Sequence, residues 1–347
     1  MSPASGNDQP EQDRTSSWAE ETLKLASPAA ARLWASKVIG GLRAEAWATD
    51  QDPDFLVGVL KESIAGIGGL PGASAALALS LAGDPARRIE FAELGADLAV
   101  AADMRPSWFA GERRMTLLGA QSILRDHGDV EVFLLEYVDH LIVVTVDHTG
   151  LYQLLNATVT APVPSSVAAV YARALAAAVA PAAAVTPLSA TEVAQRLAGP
   201  VIEFVKQGPQ FPTDVPGGPD PEELVEASAL LQAVVAELPW TEPDADAVIE
   251  QFLAGDVPAG KWPRWWARLV TDDALARGRA ATSFSQTYAH QLVLNRLLLE
   301  VAVPEDDVPA LSEAIRAWAR FVHIDWADRL PALLDKYATL NARLATT

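Results

Sequence analysis

Three of the five histidines in this chain fall within 22 residues, and each directly follows an aspartate: Asp126-His127, Asp139-His140 and Asp147-His148. Imidazole titrates near neutral pH and a neighbouring carboxylate can fix its tautomer, so such pairs suit general acid–base work. Two imidazoles with two or three carboxylates also suit a divalent metal such as Mn²⁺, Fe²⁺ or Zn²⁺. Asp and Gly are equally what tight turns require on backbone grounds alone, and no strict ligand spacing such as HExxH is present. Site and turn readings therefore start from one segment, DHGDVEVFLLEYVDHLIVVTVDHTG.

That segment also carries the clearest β pattern. Residues 115–124, 130–138 and 140–146 are short runs rich in Val, Leu, Ile and aromatics with turn residues between them, and 151–160 offers a fourth strand. The pattern predicts a small antiparallel meander. Residues 141–146 are almost continuously apolar, as in a strand covered on both faces. With consecutive hairpins about 4.8 Å apart, the first turn and the end of the third run share one edge. Asp126, His127, Asp129, Asp147 and His148 would meet there as metal ligands or acid–base groups, while His140 lies at the opposite end.

The rest reads as helix, which gives an α+β, mostly α fold with the meander embedded between helical N- and C-terminal lobes. The divisions are a disordered tail at 1–16, a helical N-terminal lobe at 17–104 and the sheet segment at 105–162. A helical connector at 163–206, a Pro/Gly linker at 207–219 and an acidic helical C-terminal lobe at 220–347 follow. Ser189-Ala190-Thr191-Glu192 has the form of a capping box. Asp220-Pro221-Glu222-Glu223 places an N-cap, a first-turn Pro and acid at a helix start. The glycine cluster at 66–72 follows a helix and lacks phosphate-loop spacing, so it is expected to join two helices.

Half of the 347 residues are hydrophobic, and cysteine is absent, which excludes disulfides, thiolate metal sites and cysteine nucleophiles. No serine sits in a GxSxG elbow. The tail lacks the basic start and apolar run of a signal peptide, and no stretch is apolar enough to span a membrane, so the expected location is cytoplasmic. The net charge is −19. Between Glu203 and Asp256 twelve acidic residues face a single base, Lys206. Such a surface repels phosphate backbones, which disfavours nucleic acid; it favours a basic protein partner or simply solubility.

Inside this acidic half, Trp262, Arg264, Trp265, Trp266 and Arg268 form the one basic, aromatic stretch. They could be a partner hot spot or a stacking platform for single strands, or a short amphipathic helix with its tryptophans in the core. In AWARFVHIDW, Leu311, Ile315, Trp318 and Val322 share a helical face. His323 and Asp325 would complete a site only if this lobe packed over the sheet edge. His290 reads as a packed or capping residue.

LLEYVDHLIVVTVDHTG, with its Val-Asp-His, and VPEDDVPALSEAIRAWARFV, with its Arg-Ala-Trp helix, resemble segments of an uncharacterised family from high-GC Gram-positive bacteria. The resemblance covers most of the chain beyond residue 50. It implies an architecture and no activity. Family members continue the Val-Asp-His with a glycine pair and a further Asp, where this chain has Thr149-Gly150-Leu151-Tyr152-Gln153.

Two functions compete on these grounds. The first is a non-catalytic interaction or regulatory protein working through the acidic face or the tryptophan patch. The second is a metal-dependent hydrolytic enzyme built on the Asp-His edge.

Overall fold

Branched and aromatic residues alternating across two faces form the sheet. β1 (Leu117–Arg125), β2 (Val130–Tyr137), β3 (Leu141–Asp147) and β4 (Leu154–Thr160) make the antiparallel meander, and β5 (Val185–Pro187) pairs with β1. The strand order is β4-β3-β2-β1-β5. The computed structural model describes residues 9–110, 115–125, 129–148, 154–162, 164–179, 185–208, 221–241, 243–276, 279, 281–282, 284–301, 303–324 and 326–345. Most of the expected linker lies outside these residues. β5 was not expected: three residues with no alternation carry no local signal.

The β2–β3 register pairs Val130 with Asp147 and Glu136 with Leu141. Phe133, Leu135, Ile142, Val144 and Val146 consequently share the inner face, where they pack on α7 (Ala190–Gln207) and α8 (Pro221–Glu237). The outer face carries Val132, Leu134 and Ile123, which meet Ala172 and Ala176 of α6 (Ser165–Val179). The capping box forms as predicted, Ser189 and Glu192 each bonding the other's backbone at the start of α7.

In the N-terminal lobe, α2 (Pro28–Thr49), α3 (Pro53–Ile67) and α5 (Pro85–Ala102) each begin with a capping side chain followed by proline: Ser27-Pro28, Asp52-Pro53 and Asp84-Pro85. The cap accepts an orphan N–H and the proline presets φ at the first turn. Gly68 and Gly69, both at positive φ, turn α3 into α4 (Gly69–Leu79), the helix–helix junction the sequence predicts. α1 (Gln9–Thr22) starts inside the stretch expected to be a disordered tail, and Thr15 and Ala19 are buried.

The lobe boundary also moves. α8 was assigned to the C-terminal lobe, yet Leu224, Leu230, Leu231 and Val234 fill the sheet core and Ala229 joins the N-terminal core. α2 approaches it closely: a Cβ at Gly40 would lie 2.5 Å from the Val225 carbonyl oxygen. Ser36 donates to Glu226 O and accepts from Leu230 N, and buried Arg43 donates to Ser228. Burial pushes the Arg43 guanidinium down to about 10, with Asp54 and Asp84 opposing.

The separate C-terminal core begins at α9 (Ala245–Leu253). It continues through α10 (Trp262–Ala276) and α11 (Gln286–His290). A π-helical segment (Gln291–Leu297) then leads into α12 (Leu298–Glu300), α13 (Val308–Phe321) and α14 (Leu330–Ala345). It is built around Phe252, Trp266, Tyr288 and Trp318. No helix among the described residues is long and apolar enough to cross a membrane.

Candidate functional site

Hairpin geometry brings Asp129 and His148 together as the sequence predicts: His148 N donates to Asp129 O at 2.7 Å. Both side chains point to the inner face. Asp147, one residue earlier on β3, points to the outer face, because successive strand residues alternate. Asp126 and His127 lie outside the described residues.

The His148 side chain, 3% exposed, bonds Glu131 Oε2 through Nε2 at 3.0 Å, and Arg196 of α7 donates to Glu131 Oε1 at 2.9 Å. Burial alone would raise the Glu131 carboxyl; the His148 hydrogen bond and the Arg196 charge outweigh it and hold the group below its ordinary value. The Asp129 carboxylate accepts from Ser285, the N-cap of α11, and lies 3.7 Å from Arg279. Arg279, 1% exposed, donates through Nε to His148 O at 2.7 Å and stacks over the Tyr288 ring, 4.3 Å from its centre.

These groups tie the sheet end to the C-terminal lobe. They do not converge on a shared cation position: among the described residues no three His, Asp or Glu side chains are placed to hold a metal ion. The proposed ligand set Asp126, His127, Asp129, Asp147 and His148 thus loses Asp147 to the opposite face, and Asp129 and His148 to other partners. Glu131, which the sequence reading passed over, is the carboxylate His148 uses. Strand alternation two residues past Asp129 was the signal available for it.

At the opposite sheet end, the two-residue loop Val138-Asp139 closes the hairpin, with Tyr137 N donating to His140 O at 2.8 Å. Buried Arg32 of α2 donates to Asp139 Oδ2 at 2.7 Å. His140, 1% exposed, has Nδ1 3.0 Å from Asp139 Oδ1, near enough to feel the charge but off the hydrogen-bond direction, and Nε2 has no partner among the described residues. Its ring rests on Tyr137, centroids 5.8 Å apart. Burial would raise the Asp139 carboxyl, but His140 and Arg32 together hold it below its ordinary value.

The tryptophan patch does not form a surface. Trp266 is fully buried and Trp262 nearly so, both in the C-terminal core, because the helix is amphipathic and the rings are its apolar side. Arg264 and Arg268 reach outward to Glu250 and Asp246. A hot spot made of Trp262, Arg264, Trp265, Trp266 and Arg268 together would need those rings exposed; only the edge of Trp265 and the two arginines remain accessible. The acidic run is also divided, with Glu226 paired to Lys37, Glu237 to Arg88, and Asp246 and Glu250 to the α10 arginines. His323 lines a groove of the C-terminal lobe with Arg316 and Arg320, and none of that groove's described lining residues belongs to the sheet.

The open feature of the sheet lies on its outer face. α6 covers β1, β2 and β5 and leaves β3 and β4 uncovered, forming a groove of about 520 Å³. Its floor includes Val143, Thr145, Asn156 and Thr158; Val167 and Tyr171 of α6 form a wall. Tyr171 is 47% exposed, and Asn156 Oδ1 in the floor is buried with no hydrogen-bond partner among the described residues. None of the groove's described lining residues is charged. The groove ends at β4, the outermost strand, whose sequence Leu-Leu-Asn-Ala-Thr-Val-Thr carries no charge and no proline. Edge strands are ordinarily guarded by charge, proline or shortness. β5 at the other edge has both of the latter, three residues ending in Pro187.

Comparison of the chain with protein-family models, curated proteins and solved structures finds no match.

Proposed function

We propose that this chain is a non-catalytic interaction protein of the cytoplasm that receives a protein partner on the uncovered outer face of β3 and β4. The observation that carries the reading is the groove beside α6, uncharged among its described lining residues and continuous with an edge strand that itself carries no charge or proline. An extended segment could add to the β4 edge by main-chain hydrogen bonds while its alternate side chains enter the groove. Asn156 Oδ1 offers an acceptor there that no described residue uses. The net charge of −19 favours encounter with a basic partner and makes association weaken as salt rises.

Wild-type protein and the double variant Thr158→Lys/Tyr171→Ala, matched by circular dichroism, would be used to recover partners from cell extract at moderate salt. The reading expects a partner bound by the wild type and lost by the variant. It fails if nothing is recovered, or if both proteins recover the same partner equally.

A further inference from the structure

The C-terminal lobe holds a groove of about 500 Å³ between the end of α13 and the start of α14. Its polar lining is Arg316, Arg320 and His323, and its apolar lining includes Ile324, Leu330 and Pro331. In a chain with 45 acidic residues against 26 Lys and Arg, none of the described residues lining this groove is acidic.

Arg316 and Arg320 are four apart on α13, so both guanidinium groups rise from the same side of the helix. Among the described residues Arg316 pairs with exposed Glu313 three residues earlier, and surface pairs of that kind hold a side chain weakly. Arg320 and His323 have no side-chain hydrogen bond or ion pair among the described residues. The helix dipole of α13 favours one cation in its last turn and so accounts for Arg320. It does not account for a cavity that Arg320 shares with Arg316 and His323. Across the groove, Leu330 and Pro331 open α14, a 16-residue helix whose N-terminal end carries partial positive charge.

We infer that this groove binds a small organic anion, a molecule bearing a phosphate or carboxylate on an apolar body. Guanidinium forks match the oxygen pairs of either group, and His323 adds a third donor. Ile324, Leu330 and Pro331 supply the wall that an apolar body covers. The site is independent of the sheet-face reading, which neither supports nor requires it.

The full chain would be titrated calorimetrically at constant ionic strength with inorganic phosphate, phenyl phosphate, benzoate and phenol. Phenyl phosphate or benzoate should bind saturably and about tenfold tighter than inorganic phosphate, and phenol not at all. Which of the two anions binds more tightly identifies the headgroup. Arg316→Gln/Arg320→Gln should lose at least about tenfold in affinity, while Arg264→Gln, on the α10 surface, should lose nothing. The inference is overturned by no saturable binding of either aromatic anion up to about 10 mM. It is equally overturned by unchanged binding to the folded double variant, or by equal affinity for inorganic phosphate and phenyl phosphate.

Discussion

The two ends of the sheet repeat one device. At each, an aspartate beside a hairpin turn receives a buried arginine from a different helical lobe: Asp129 takes Arg279 from the C-terminal side, and Asp139 takes Arg32 of α2. Each end also buries a histidine, His148 or His140. The ends differ in how well the groups are directed. Around Asp129 the carboxylate, the Ser285 hydroxyl, the His148 carbonyl and the Glu131 carboxylate all have aligned partners. Around Asp139 only the arginine contact is aligned, and the aspartate side chain is 27% exposed. The residues around the Asp-His pairs that invite a metal reading thus fasten lobes together, at one end dry and with most groups directed, at the other partly open to water.

Removing the arginines should expose that difference most strongly. Arg279→Leu strands a buried carboxylate and a buried carbonyl, a situation that costs about 3–5 kcal/mol. Arg32→Leu leaves Asp139 able to hydrate, and a loss of about 1–3 kcal/mol is expected. Urea unfolding of the two variants checks the order. Equal losses would mean that the dry end has no energetic advantage.

The next effect is in pH. The folded-state Glu131 carboxyl titrates below its ordinary value, so its stabilising contribution is complete above the unfolded value of about 4.3 and is lost as pH falls through the folded one. Glu131→Gln should therefore cost about 1–3 kcal/mol at neutral pH, with a gap to wild type that narrows on acidification. Denaturant midpoints at pH 7 and pH 3 measure it. A gap that stays constant between those pH values would show that Glu131 is not charged in its pair with Arg196.

What the sequence made legible follows from how local each cause is. The meander and the separation of His140 from His148 rest on branched runs and turn residues, and the structure has the strands and the Val138-Asp139 loop, while Asp126-His127-Gly128 lies outside the described residues. The helix starts at Pro28, Pro53, Pro85 and Ala190 are likewise written in cap residues. The opposite facing of Asp147 and His148 was also readable, since neighbours on a strand alternate. The arginines were not. Arg32 lies 107 residues from Asp139 and Arg279 lies 131 from His148, and no local pattern states which helix will dock at which sheet end. α8 shows the same limit. Its composition is acidic like the segment after it, while its packing partners are Gly40 and the sheet. The half-covered outer face depends on where α6 settles, which is again tertiary.

The smallest effect separates the two histidines. His148→Phe removes an aligned bond to a buried carboxylate and leaves Glu131 with Arg196 alone, so a loss of about 1–3 kcal/mol is expected. His140→Phe removes a ring whose nitrogens make no aligned hydrogen bond and keeps the stacking on Tyr137. Arg32 still neutralises Asp139. A change within about 1 kcal/mol of wild type, in either direction, is expected, because deleting a buried polar group that lacks a partner offsets the lost charge contact. Thermal and urea unfolding of the two variants side by side decide it. Were His140→Phe to cost as much as His148→Phe, the partly open end would be as tightly built as the dry one, and His140 would be acting through a charge on its ring.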